Sequence, residues 1–262
     1  MPPERILLHI CCAPCATTVV RRLQAAGFEV HGYFYNPNTQ PEKEYFLRLL
    51  EAQRLCSTWQ VPLEIGEYDW DRWQAEVRGL ETEKEGGKRC EACYRFRLSA
   101  AAQKAKELDI GIIATTLTIS PRKRPEVINP LGREVCEELA TRFHEADWKK
   151  QDGFKQSLDV CRELHIYRQR YCGCKYSLNE REEHEAQKAA RLVAELAGQG
   201  LPEKQTARPQ RMTRAMKILA EKPAVEKKSD VTVPEDTRAK WELSPLERKK
   251  KHAKKEKPWQ GK

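Results

Sequence analysis

The chain has 262 residues, 39% of them hydrophobic and 33% charged, with a formal net charge of +9. That length suits one substantial α/β domain plus an appendage, and no run approaches the roughly 18 to 20 apolar residues of a membrane span. The opening MPPERILLHI has only a short apolar stretch and no small-residue cleavage site, so it is not a signal peptide; the sequence reads as that of a cytoplasmic protein with no membrane partner.

Residues 5–10 (RILLHI) form a short apolar run that stops at a Cys-Cys pair, the pattern of a buried strand ending at a site. Residues 16–26 have helical spacing, with Gly27 as a C-cap. A second strand is expected over 28–35, closed by the turn-forming Asn36-Pro37-Asn38, and a helix over 41–58 with Pro41 in its first turn. VPLEIGEY at 61–68 reads as a third strand, 90–108 as a helix, and the β-branched 110–118 as a fourth strand. A helix follows near 124–142, interrupted by Pro130, and a polar helix over 178–198. Strands alternating with helices imply an α/β fold: a mostly parallel sheet with helices on both faces and ligands outside the carboxyl ends of the strands. Cys11 and Cys12, the segment 35–38 and the segment 115–118 all fall at such ends and are expected to converge on one crevice. Residues 1–198 are thus the α/β domain. Residues 199–262 hold 18 Lys and Arg against 9 Asp and Glu, the whole of the excess positive charge, and read as a largely disordered basic tail, either a solvated terminus or a weak electrostatic lure for RNA.

Ten cysteines in an intracellular chain argue against a disulfide framework. Cys56, Cys136 and Cys161 are scattered singly in helix-like segments and read as small buried hydrophobes. The other seven form three groups. Cys90 and Cys93 make a C-x-x-C at a helix start, where two thiolates can face one metal and the helix N-terminus lowers thiol pKa. The same motif alone suits a redox dithiol or half a zinc site. Cys11 and Cys12 at a strand terminus can turn toward one site, and with Cys90 and Cys93 they supply the four ligands of a 4Fe–4S cluster. Cys172-Gly173-Cys174 is a third pair, read as a reversible disulfide that passes electrons or as ligands of a second metal; Cys15 can join either arrangement.

HICCAPC at 9–15, YNPN at 35–38, GGKRCEACYRFRL at 86–98, TTLTISP at 115–121 and YRQRYCGCKYS at 167–177 together resemble the QueH family of epoxyqueuosine reductases, from about residue 5 to about residue 180. The resemblance implies an adenine-nucleotide α-hydrolase-like (HUP-like) fold and a cobalamin-independent iron–sulfur oxidoreductase. It places a 4Fe–4S cluster on Cys11, Cys12, Cys90 and Cys93, and a redox-active role, or proximity to an additional iron ion, on Cys172 and Cys174. The implied substrate is epoxyqueuosine at the wobble position of tRNA, in the anticodon loop, and the product is queuosine. The implied partners are that tRNA and an unidentified electron donor.

Deoxygenating an epoxide consumes two electrons and two protons. Tyr35, Asp69 and Tyr94 are candidate proton donors by their placement near element ends. Lys88, Arg89, Arg95, Arg97, Arg122, Lys123 and Arg124 flank the cysteine groups as candidate phosphate contacts, each also readable as an ordinary surface charge. Tyr33, Phe34, Tyr35, Tyr171 and Tyr176 can stack on splayed bases or serve the core. Two other readings stand beside the reductase: a thiol–disulfide oxidoreductase or sulfur-transfer enzyme using Cys172 and Cys174, and a zinc-bound RNA-binding module.

Overall fold

A computed structural model describes residues 2–198; the expected basic tail, 199–262, lies outside the described residues. Five strands, β1 (Glu4–Ile10), β2 (Phe28–Phe34), β3 (Leu63–Ile65), β4 (Ile112–Thr115) and β5 (Arg142–Phe143), form one sheet in the order β3-β2-β1-β4-β5. Every pairing is parallel, with Leu8 opposite Gly32 on one side and Ala114 on the other. The α/β class expected from the sequence is the one present.

Because successive side chains on a strand point to opposite faces, β1 feeds two cores at once. Ile6, Leu8 and Ile10 pack with Val19, Val20 and Leu23 of α1 (Ala13–Ala25), Leu49 and Leu55 of α2 (Glu42–Thr58) and Cys161 of α6 (Gly153–Glu163). Leu7 packs on the other face with Leu98, Ala101 and Ala102 of α4 (Lys88–Glu107) and Ile128 and Val135 of α5 (Pro125–Glu138). Burial on both faces is why residues 5–10 read as a continuous apolar run rather than an alternation. Each such aliphatic side chain contributes roughly 1.5–3 kcal/mol to folding.

The remaining helices are α3 (Trp70–Glu76) and α7 (Lys175–Gly198). The third strand is three residues rather than eight, and the fourth stops at Thr115, where the chain turns into a short 3-10 segment, Leu117–Ile119. Pro130 does not interrupt α5. The carbonyl it leaves without a helical partner belongs to Glu126, and both residues are exposed, so water satisfies it. Helix α1 starts at Ala13, with Pro14 in its first turn. That start makes Cys12 the N-cap and brings Cys15 into the helix's first turn.

Strand order reverses between β1 and β4: β2 and β3 lie to one side, β4 and β5 to the other. In open parallel sheets the loops leaving such a switch point part and form a crevice at the carboxyl ends. Here those loops carry Cys11 after β1 and Thr116 after β4.

Candidate metal centre

The crevice holds about 180 Å3 and is lined by Cys11, Cys15 and Cys172 together with Arg48, Lys123, Arg168, Gln169 and Arg170. The sulfurs of Cys11, Cys12 and Cys15 lie within 4.8 Å of one another, those of Cys11 and Cys12 being 3.8 Å apart. Hydrogen bonds from the Cys12 and Cys15 thiols hold Cys11 well below the ordinary thiol range, and Cys12 is pushed up to about 12 beside it.

Cys90 and Cys93 arrive from the opposite face on the first turns of α4, one turn apart and so on the same side of the helix. Cys90 packs in the same apolar cluster as Cys11 and Cys12, while Cys93 and Cys174 pack together against Trp73 and Val77. Burial pushes the Cys90 thiol up to about 12 and also raises Cys93. Cys174, raised by burial to about 11, immediately precedes α7. Gly173 between this pair takes φ +140°, and a Cβ there would stand 2.8 Å from Arg48 Nη1, so the bend needs glycine.

Three features suit this place to an anionic, sulfur-bound group. First, the sulfurs accept hydrogen bonds: Thr116 Oγ1 donates to Cys11 at 3.2 Å, Gln169 Nε2 to Cys12 at 2.8 Å, the Gly86 amide to Cys90 at 3.2 Å and the Ser177 amide to Cys174 at 3.4 Å. Second, three helices, α1, α4 and α7, begin at or beside cysteines, so their positive ends face the sulfurs. Third, Arg97 and Lys123 are buried with no carboxylate partner among the described residues. The Arg97 guanidinium donates to the Tyr35 carbonyl, Asn36 Oδ1 and the Cys93 sulfur; burial opposes its charge and the facing Cys93 and Cys11 favour it, while Cys11 and Tyr94 favour the Lys123 ammonium against the same cost. A buried cation needs a counter-charge, and among the described residues the groups facing these two are cysteine sulfurs and the Tyr94 phenol.

His9 fixes the crevice floor. Its ring bonds Thr115 Oγ1 at 2.9 Å and the Tyr35 carbonyl at 3.2 Å, tying the ends of β1, β2 and β4 together, and burial lowers its pKa to about 3, keeping it neutral.

The family model described as "Epoxyqueuosine reductase QueH" matches residues 6–180. The chain belongs to the QueH family. A relative named "Epoxyqueuosine reductase QueH" from Streptococcus pyogenes serotype M1 is 41% identical over 179 residues, covering 66% of this chain and 69% of its own. The relative of the same name from Thermotoga maritima is 35% identical over 185 residues, 70% of this chain and 94% of its own. A solved structure, the U34-tRNA thiolase NcsA from Methanococcus maripaludis with its [4Fe-4S] cluster, aligns over 68% of this chain and 62% of its own with a TM-score of 0.46 and 10% identity. All five sequence motifs, and so all seven grouped cysteines, fall inside the span matched to the QueH model.

Several residues read from the sequence belong elsewhere. Arg89, Arg97 and Lys123 are buried, not surface phosphate contacts: Arg89 anchors the 81–85 loop through the Glu81 and Glu83 carbonyls and Glu180. Lys88, Arg122 and Arg124 stay exposed, and Arg95 is half-buried between Glu134 and Glu138. Asp69 caps α3, accepting from the Arg72 amide at 3.0 Å. Tyr33 and Tyr35 stack on each other at 5.8 Å and line a second crevice beyond β2 and β3, and Phe34 is core. Cys56, Cys136 and Cys161 are buried thiols within the two cores. All ten cysteines are free, so Cys172 and Cys174 stand as two thiols. Thr116 lies in the 115–118 segment expected at the crevice and bonds Cys11 there, whereas Gln169 is a sulfur partner that no spacing in the sequence discloses.

Proposed function

We propose that this chain reduces epoxyqueuosine to queuosine at the wobble position of tRNA, with residues 1–198 as the catalytic domain, 199–262 as a basic tail, and the cytoplasm as its place of work. No helix among the described residues is long and apolar enough to cross a membrane. The observation that supports the reading is the Cys11, Cys12 and Cys15 sulfurs within 4.8 Å of one another beside Arg97 and Lys123, two buried cations with no carboxylate partner among the described residues. In this proposal Cys11, Cys12, Cys90 and Cys93 hold a 4Fe–4S cluster. When bound, such a cluster supplies electrons one at a time.

The overall reaction takes two electrons and two protons, turns the epoxide into an alkene and releases water. The electrons come from a donor outside the chain. Cys172 and Cys174 lie where thiols can relay them as a reversible disulfide, or hold an additional iron ion at the crevice wall. Of the three candidate proton donors, Tyr94 is the one beside the cysteines: burial holds its proton firmly, and the neighbouring Lys123 ammonium opposes that shift. Lys123 faces the crevice as a positive charge for the departing oxygen. A wobble base in a single-stranded loop is extruded toward the crevice at modest cost.

Nucleosides from the tRNA of cells lacking this protein, analysed by mass spectrometry, test the reading. Accumulated epoxyqueuosine, cleared when the chain is restored, is the expected result. Unchanged queuosine in cells without any other reductase would end it.

A further inference from the structure

The crevice lining contains five cations, Arg48, Arg122, Lys123, Arg168 and Arg170, against one carboxylate, Glu85. Three of the five are already engaged. Arg48 pairs with Glu44 and donates to the Cys172 carbonyl, Arg122 pairs with Glu85 at 3.4 Å, and Lys123 is buried toward the thiols. Arg168 and Arg170 remain: both are exposed, and neither has an ion-pair partner among the described residues.

Their backbone is held in place by the residues between and beside them. The Tyr167 hydroxyl donates to Glu44 Oε2 at 2.8 Å, Gln169 Nε2 to Cys12 at 2.8 Å, and the Tyr171 hydroxyl to the Gln40 carbonyl. Arg181 Nη1 grips the Arg170 carbonyl at 2.6 Å. The odd-numbered side chains of YRQRY are thus each hydrogen-bonded to the body of the domain, and the two arginines are left unpaired at the rim, two residues apart. An unpaired guanidinium fork is matched in shape to a phosphate. A nucleotide extruded toward the sulfurs leaves the phosphates on either side of it at the mouth of the crevice.

We propose that Arg168 and Arg170 clamp the two phosphates flanking the nucleotide that enters the crevice, and so set the register of the RNA strand over the thiols. The proposal rests on the tRNA-reductase reading and adds the residues that seat the strand. These arginines are positioning residues: they bind the backbone, and the base is left to the crevice.

The test is binding of an anticodon stem-loop RNA to the full chain by fluorescence anisotropy across a salt series, with steady-state turnover of the same RNA carrying the epoxide base. R168A/R170A is expected to raise Kd by about ten- to a hundredfold. It should also make the log–log salt slope shallower by about 1.4, or roughly 0.7 for each single-strand phosphate left without its arginine. KM should rise with Kd while kcat at saturating RNA and iron content stay those of the unaltered protein. R168K/R170K should keep the slope and lose part of the affinity. K188A/R191A removes the same charge from the exposed face of α7 and should change neither. Unaltered protein that binds and converts the RNA, beside a double variant with the same Kd and slope, overturns the clamp and leaves the reductase reading standing. An equal loss in K188A/R191A also overturns it, since net charge alone would then explain the effect. Unaltered protein that neither binds nor converts the RNA removes both.

Discussion

Along β1 the chain packs Ile6, Leu7, Leu8 and Ile10 against aliphatic side chains on two faces. Immediately past its end it packs Cys11 and Cys12, and the buried shell there holds His9, Arg48, Arg97 and Lys123. Both places are equally dry, yet opposite terms hold them together. In the sheet body, burial itself is the stabilising term. At the carboxyl rim burial opposes folding, because a desolvated cation is costly until an anion faces it. A fold that buries two cations without carboxylates depends on its thiolates, or on what they bind, for local stability. Stability and cofactor capacity should therefore respond separately to change in the two places.

The sharpest separation is expected from Cys93→Ser. Serine nearly matches cysteine in size, so the 7%-exposed position should still pack and thermal unfolding should move by only a few degrees. Its hydroxyl is a poor ligand for iron, so anaerobic reconstitution should leave the protein without the brown absorbance of an iron–sulfur cluster and without turnover. Full iron content and full activity in this variant would remove Cys93 from the ligand set.

Leu8→Ala reverses that pattern. Leu8 is wholly buried at the centre of the sheet, and truncation there should cost about 2–5 kcal/mol in urea unfolding. The iron bound per folded molecule should not change. A loss of iron in step with stability would show that the two parts do not act independently.

The same contrast explains what the sequence disclosed. A six-residue apolar run stopping at two cysteines is a strong signal, because a two-sided strand can be made only from such a run and chemistry sits at its end. Hence β1, the parallel class and a cysteine cluster at the end of β1 were legible. The burial of Arg97 and Lys123 was not. A cation in a sequence reads as surface unless its counter-charge is known, and here the counter-charge is sulfur from distant stretches of chain. The two-residue β5 is too short to show a period. Helix α6 did leave a signal, with Phe154, Leu158 and Cys161 at helical spacing, but a stripe that short is easily taken for loop. Gln169 left none: its place against Cys12 follows from the path of the 166–173 segment, which has no regular structure.

The smallest effect concerns the join between body and rim. Tyr68 packs on Tyr45 at 4.2 Å; its hydroxyl donates to the Thr39 carbonyl at 2.7 Å and accepts from Gln40 Nε2 at 2.6 Å. The Gln40 amide in turn donates to the Gly173 carbonyl at 2.8 Å, so the ring braces the loop that carries Cys172 and Cys174. Burial pushes the Tyr68 phenol up to about 12 and raises Tyr45 as well, whereas an unfolded chain ionises tyrosine near pH 10. Below that value both states keep the proton and stability does not depend on it. Between pH 10 and about 12 the unfolded state releases a proton that the folded state retains, so folding stability falls as pH rises. Urea midpoints measured from pH 8 to pH 11 should fall throughout, since the buried thiols, ionised near pH 8.5 when unfolded, contribute first, and Tyr68→Phe should lessen only the part of the decline above pH 10. A decline above pH 10 that is the same in Tyr68→Phe as in the unaltered protein would remove this phenol from the titration, and the join would then owe its strength to packing against Tyr45 rather than to the bonded hydroxyl.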